Sequence, residues 1–200
     1  MALSHAILVA IAEMPCSGYD LSKRFAGSVG YFWYASQQQI YRELAKMEEQ
    51  GYLSGTIVHQ EGRPDKRLLT ITEAGRELLC SWIATPTEVS PIKDDLLVKV
   101  FGGGQVSPSV LLRELQNHQN QHQVTLQTYR SIEAECFHQP VEVMPWDKRC
   151  RYLTLRNGIR YEESWLAWCE EAIAALNLET NVEANTNVEA NTEVAVSRPS

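Results

Sequence analysis

Gln37, Gln38, Gln39, Tyr41 and Arg42 crowd the start of a helix-forming run and supply amide, phenol and guanidinium groups within six residues. Gln pairs bidentately with adenine and Arg with guanine in the major groove, and Gln38 and Arg42 are one helical turn apart. Just downstream, Arg63, Lys66 and Arg67 fall in the segment HQEGRPDKR between two β-forming runs. Cations there are placed to touch phosphate or the minor groove, which adds affinity through counterion release rather than sequence reading. Tyr19, Ser36, Gln39 and Tyr41 fit phosphate contact, positioning or partial packing better than base reading. This is recognition chemistry, not catalysis. The chain carries no nucleophile elbow, no phosphate loop in a strand-to-helix context and no paired carboxylates with an evident cleft. Gly102-Gly103-Gly104 follows a helix and lacks a lysine, so a helix stop accounts for it.

The elements that must carry these residues are legible. Ser36 and Gln39 have capping-box spacing, and Ile40, Leu44 and Met47 recur on one narrow helical arc. Gln38, Arg42 and Glu49 lie opposite that arc, and Gly51 supplies the stop. Thr56-Ile57-Val58 and Leu68 to Ile71 are strand formers, so a hairpin with a basic tip follows the helix. Upstream, Leu3, Ile7, Leu8 and Ile11 give a first helix an apolar face, ended near Pro15. Ser17 to Asp20 forms another capping box, opening a short helix that closes around Gly27 or Gly30. Tyr31-Phe32-Trp33-Tyr34 reads as a loop pinned to the core, with ligand stacking as the sharper alternative. A helix opened by Thr72 to Gly75 and running through Leu78, Leu79, Trp82 and Ile83 completes a winged helix-turn-helix.

Pro86 and Pro91 mark a linker, giving a domain over 1–84, a linker over 85–92 and a helical domain over 93–178. After a short helix, Ser107-Pro108 opens a long one with Leu111, Leu115, His118, His122, Leu126, Tyr129 and Ile132 at 3–4 spacing. A break at Gln139-Pro140 precedes the last helix, over about 147–176, whose face holds Leu155, Ile159, Leu166, Cys169, Ile173 and Leu176. Two such helices cannot bury this much apolar surface on each other, and a second copy of the chain is the simplest partner. Tyr161, Trp165 and Trp168 can line an effector pocket, although such a stripe is more often core. His118 and His122 have metal-compatible spacing but no Cys or carboxylate a turn further along, so a polar dimer seam or solvent exposure is expected and no metal or other cofactor. Residues 179–200 repeat NVEANT and lack aromatics, which predicts a disordered tail.

The formal charge is −7, and it is uneven. Residues 1–84 hold 8 Lys+Arg against 9 Asp+Glu, whereas 85–200 hold 10 against 16. This argues against indiscriminate coating of nucleic acid, and any contact must be local and geometrically confined. Five cysteines without a CxxC pair read as reduced thiols packed as small hydrophobes. The opening MALSHAILVAIAEM has no basic flank or cleavage site, and no apolar run reaches membrane-spanning length, so a cytoplasmic protein is expected.

The motifs Gly18-Tyr19-Asp20-Leu21, Gln39-Ile40-Tyr41-Arg42-Glu43-Leu44, Gln50-Gly51-Tyr52-Leu53, Gly62-Arg63-Pro64 and Leu69-Thr70-Ile71-Thr72-Glu73-Ala74-Gly75 occur in this order. In this the chain resembles the PadR family of bacterial winged-helix transcriptional regulators, from its start to about Trp82. Arg160-Tyr161-Glu162-Glu163-Ser164-Trp165-Leu166-Ala167-Trp168 looks like the longer helical dimerisation domain of one branch of that family. The resemblance implies a homodimer that binds a pseudo-palindromic operator in double-stranded DNA, commonly as a repressor released by a small effector. Gln37 and Gln38 depart from the smaller or turn-forming residues frequent at that point in the family, and Leu69 replaces a frequent aromatic. The alternative from another class is a winged-helix module that binds protein through an acidic surface, without an operator.

Overall fold

A computed structural model describes residues 2–26, 35–59, 62 and 65–196, and the chain divides into two units, Met1–Ser90 and Pro91–Ser200. Arg63 and the aromatic run at 31–34 lie outside the described residues.

The first unit contains helices α1 (Ala2–Glu13), α2 (Gly18–Ala26), α3 (Gln37–Glu49) and α4 (Glu73–Ala84), with strands β1 (Leu53–Val58) and β2 (Lys66–Ile71) between α3 and α4. The strands pair antiparallel from Leu53 opposite Ile71 to Val58 opposite Lys66. Lys66 and Arg67 are therefore in the ladder, where alternation fixes their direction, and not in the turn at the tip as the charge cluster suggested. Cys16 exchanges backbone hydrogen bonds with Leu69, at 3.3 and 2.9 Å, and so ties the α1–α2 connection to β2. One closed core joins these elements: Ile7, Leu8 and Ile11 from α1, Leu21 and Phe25 from α2, Ile40, Leu44 and Met47 from α3, and Leu53, Leu69, Ile71 and Leu79 around them. Leu69 is 3% exposed, so the position where an aromatic is frequent in the resembling family is here filled by an aliphatic core residue. Only the Leu79 side of α4 is buried; Ile83 is exposed, and Trp82 stacks on the His5 ring at 4.4 Å.

The second unit begins with α5 (Asp95–Phe101), whose first amides, those of Leu96 and Leu97, donate to the Asp94 carboxylate. Helix α6 (Pro108–Cys136) and helix α7 (Trp146–Val196) follow, separated by a 3-10 turn at Val141–Val143. They run antiparallel, as the pairing of His122 with Glu162 and of Glu133 with Arg156 requires. Their seam buries Leu126, Tyr129 and Ile159, flanked by Ile132, Leu155 and Leu166. Tyr129 lies against Gly158, where an added Cβ would approach its ring to 2.9 Å. Helix α7 extends beyond the end expected near Leu176 and carries helical backbone through the segment read as a disordered tail. No Gly or Pro occurs between Gly158 and Pro199 to interrupt it.

All five cysteines are free, with Cys16 and Cys169 buried and Cys80, Cys136 and Cys150 exposed rather than packed. Burial pushes the thiol pKa of both Cys16 and Cys169 up, which makes them poor nucleophiles. Among the described residues no helix is long and apolar enough to cross a membrane.

Candidate nucleic-acid interface

Helix α3 is held at both ends. Ser36 Oγ accepts from the Gln39 amide at 3.3 Å, and Gln39 Oε1 accepts from the Ser36 amide at 2.8 Å, a complete capping box. At the other end the Tyr52 amide donates to Met47 O and the Gly51 amide to Glu48 O, closing a Schellman motif with Gly51 at φ +76°. Ile40, Leu44 and Met47 anchor the inner face. These constraints leave Gln37, Gln38, Tyr41 and Arg42 exposed. Gln37, Gln38 and Arg42 make no side-chain hydrogen bond or ion pair among the described residues, whereas Ser36 and Gln39 are engaged in the cap.

Tyr41 packs over the N-terminus of α2, because Gly18 leaves room for its ring; a Cβ there would come within 2.8 Å. Tyr19, 55% exposed, stands beside it on α2 with the Lys23 ammonium 4.5 Å above its ring. Thus Tyr19 and Tyr41, twenty-two positions apart, border one surface with Leu44, Ala45 and Glu48 of α3.

The wing cations behave differently from those of α3. Lys66 Nζ lies 2.6 Å from Asp20 Oδ2 on α2, and the Arg67 guanidinium donates to Glu48 Oε1 on α3 at 2.7 Å. The Lys66 ammonium, and after it the Ser17 hydroxyl, hold the Asp20 carboxyl below its ordinary pKa. An open groove of about 830 Å³ lies between α2, α3 and β2, bordered by Tyr19, Tyr41, Leu44 and the two ion pairs. His59 Nδ1 and Asp65 Oδ2 meet at 2.9 Å across the base of the turn. Sequence reasoning found the cations and missed their partners. The available signal was only that Asp20 and Glu48 sit next to the apolar positions Leu21 and Leu44 on their helices.

In the second unit Tyr161, Trp165 and Trp168 come together around His122. The His122 and Trp165 rings stack at 5.0 Å and 8°, Tyr161 meets His122 edge-on, and Trp168 meets Trp165 edge-on. His122 Nδ1 is 2.6 Å from Glu162 Oε2, and Glu162 is buried. Glu162 was not anticipated, yet it occupies the gap in the heptad series 155, 159, 166, 169, 173 and 176. Reading that series for its missing member identifies a carboxylate at a core position, opposite the histidine at a core position of α6. Among the described residues no group of three or more His, Cys, Asp or Glu stands where a metal ion would be held.

The sequence also matches known families. Residues 7–81 match the Transcriptional regulator PadR-like family, and residues 92–177 match the Virulence activator alpha C-term family. The probable transcriptional regulator Rv1176c of Mycobacterium tuberculosis is 40% identical over 88% of this chain and 98% of its own length. The chain belongs to the PadR-like family of transcriptional regulators. Among solved structures, the Vibrio cholerae virulence activator AphA is 32% identical, with a TM-score of 0.71 over 88% of this chain and 99% of that one. Bacillus subtilis PadR in complex with operator DNA superposes with a TM-score of 0.77 over the same shares at 22% identity, a likeness of fold. Both PadR-like halves, the winged helix-turn-helix and the longer C-terminal helical domain, are thus present in one chain.

Proposed function

We propose that this regulator binds a pseudo-palindromic operator in double-stranded DNA as a homodimer, in the cytoplasm, and represses transcription until a small effector releases it. The observation that carries the reading is the row of Gln37, Gln38 and Arg42, exposed and unengaged among the described residues on a helix capped at both ends. Gln38 and Arg42 read base edges; Tyr19 and Tyr41 position the helix at its flank; Arg63, Lys66 and Arg67 meet phosphate or the minor groove. Membership of the PadR-like family supports it, as does a protein of this fold engaged with operator DNA.

The dimer reading rests on the second unit. Val110, Val124 and Leu153 are 43%, 64% and 55% exposed on α6 and α7, beyond what the narrow seam covers. A second copy that covers them also supplies the second recognition helix an operator with two half-sites needs. The cluster of Tyr161, Trp165 and Trp168 between α6 and α7 is the effector site in this reading, since aromatic clefts between helices take apolar ligands.

A mobility-shift assay against the gene's own upstream region, at several salt concentrations, tests the function. Saturable binding that resists random competitor DNA is the expected result. No preference over random DNA at any salt would overturn it and favour the protein-binding winged-helix module.

A further inference from the structure

The two wing cations present a puzzle if their only task is to attract phosphate. Each is already neutralised by a carboxylate on a different helix, Lys66 by Asp20 of α2 and Arg67 by Glu48 of α3. The unit that carries them has almost no net charge, and these are the cations of its wing among the described residues. A third feature points the same way. Gly55, in the interior of β1, leaves the space through which the pair reaches: an added Cβ would collide with Arg67 Nε and stand 2.6 Å from Glu48 Oε1. Glycine weakens a strand interior and commonly marks a close approach, and here what approaches is this ion pair.

We propose that Asp20 and Glu48 are carboxylate latches, which dock the wing on α2 and α3 and compete with DNA phosphate for Lys66 and Arg67. The proposal rests on the DNA-binding reading above and concerns how selective that binding is. A phosphate gains these cations only by displacing a carboxylate already in contact. Random duplex, which offers no base contacts to α3, gains little from the exchange. A cognate site holds its phosphates against the wing through the contacts of α3 and completes the exchange. The latches therefore suppress non-specific affinity more than specific affinity, a selectivity obtained by penalising the wrong partner. Exposed ion pairs contribute little to stability, so their removal leaves the fold intact.

The experiment measures binding of the full chain to a random-sequence duplex and to the upstream duplex across a salt series. It compares wild type, Asp20→Asn with Glu48→Gln, and a charge-matched control, Glu73→Gln with Glu77→Gln on α4. The latch variant should bind random duplex several-fold tighter, with a salt slope steeper by roughly one to two, since each added phosphate contact contributes about 0.9. Its ratio of upstream to random affinity should fall. Adding Lys66→Ala and Arg67→Ala should abolish the gain, and Gly55→Ala alone should reproduce part of it. Specific wild-type binding with an unchanged or weakened latch variant, or an equal gain in the control, overturns the latches and leaves the DNA-binding reading standing. Failure of the wild type to bind either duplex at any salt overturns both.

Discussion

The two units solve the burial of apolar surface in different ways. In the first, four helices and a hairpin converge on one core, and Ile7, Leu8, Leu21 and Phe25 are at most 2% exposed. In the second, two helices of 29 and 51 residues meet along a seam whose buried centre is Leu126, Tyr129 and Ile159. A polar layer, His122 with Glu162, interrupts that seam, while valines and leucines face outward. In the proposed reading this difference fits the two tasks: a unit that reads bases has to be rigid by itself, because base contacts tolerate little displacement, whereas a dimerising element can leave its surface for another copy to cover.

The sharpest way to break this contrast is to open the first core. Leu44→Ala, beneath the outer row of α3, should cost about 2–5 kcal/mol and abolish duplex binding, as read by chemical denaturation and mobility shift. If unfolding stayed unchanged, the core would not be closed as described.

Next comes the polar layer. Glu162→Ala leaves His122 without its partner in a half-buried seam and should cost about 1–3 kcal/mol. Replacing both by leucine should recover that loss or exceed wild-type stability, because a buried polar pair exchanged for packed apolar groups is often neutral or better. Thermal unfolding with sedimentation velocity would show whether the layer also limits which partner the helices accept. Additive losses in the double variant would mean the pair is not coupled.

At the reading surface the expected effect concerns preference rather than folding. Gln38→Ala should lose roughly 1–3 kcal/mol of discrimination between the upstream site and random duplex, with stability unchanged. Arg63→Ala should weaken binding to all sequences and make the salt slope shallower. Equal losses for both variants on both DNAs would remove the division between base reading and phosphate contact.

The smallest effect is in acid. Because Lys66 and Ser17 lower the Asp20 pKa, the pair's contribution to stability is present above the ordinary aspartate range. It fades as pH falls through the lowered folded value. Asp20→Asn should flatten that portion of an acid-unfolding titration by a small amount, since the pair is partly exposed.

Much of the first unit was legible because its signals are local. The capping box at Ser36, the arc of Ile40, Leu44 and Met47, and Gly51 specify α3 without reference to the rest of the chain. The engagement of Lys66 and Arg67 was not legible, because it depends on where a hairpin returns across two helices. The tip charges hid the fact that both residues belong to the β2 ladder. In the second unit the helices could be read from periodicity, but that reading followed the apolar members of the face, and Glu162 is not one of them. For the tail the two signals diverge: composition suggests disorder, while the absence of Gly or Pro between Gly158 and Pro199 leaves nothing local to stop the helical backbone of α7.

A footprint of the upstream region with wild type and Gln38→Ala tests the central claim most directly. The account predicts two protected half-sites related by a two-fold axis for wild type, and loss of protection at matching bases in both half-sites for the variant. A single protected patch, or protection unaffected by Gln38→Ala, would contradict a dimer reading DNA through α3.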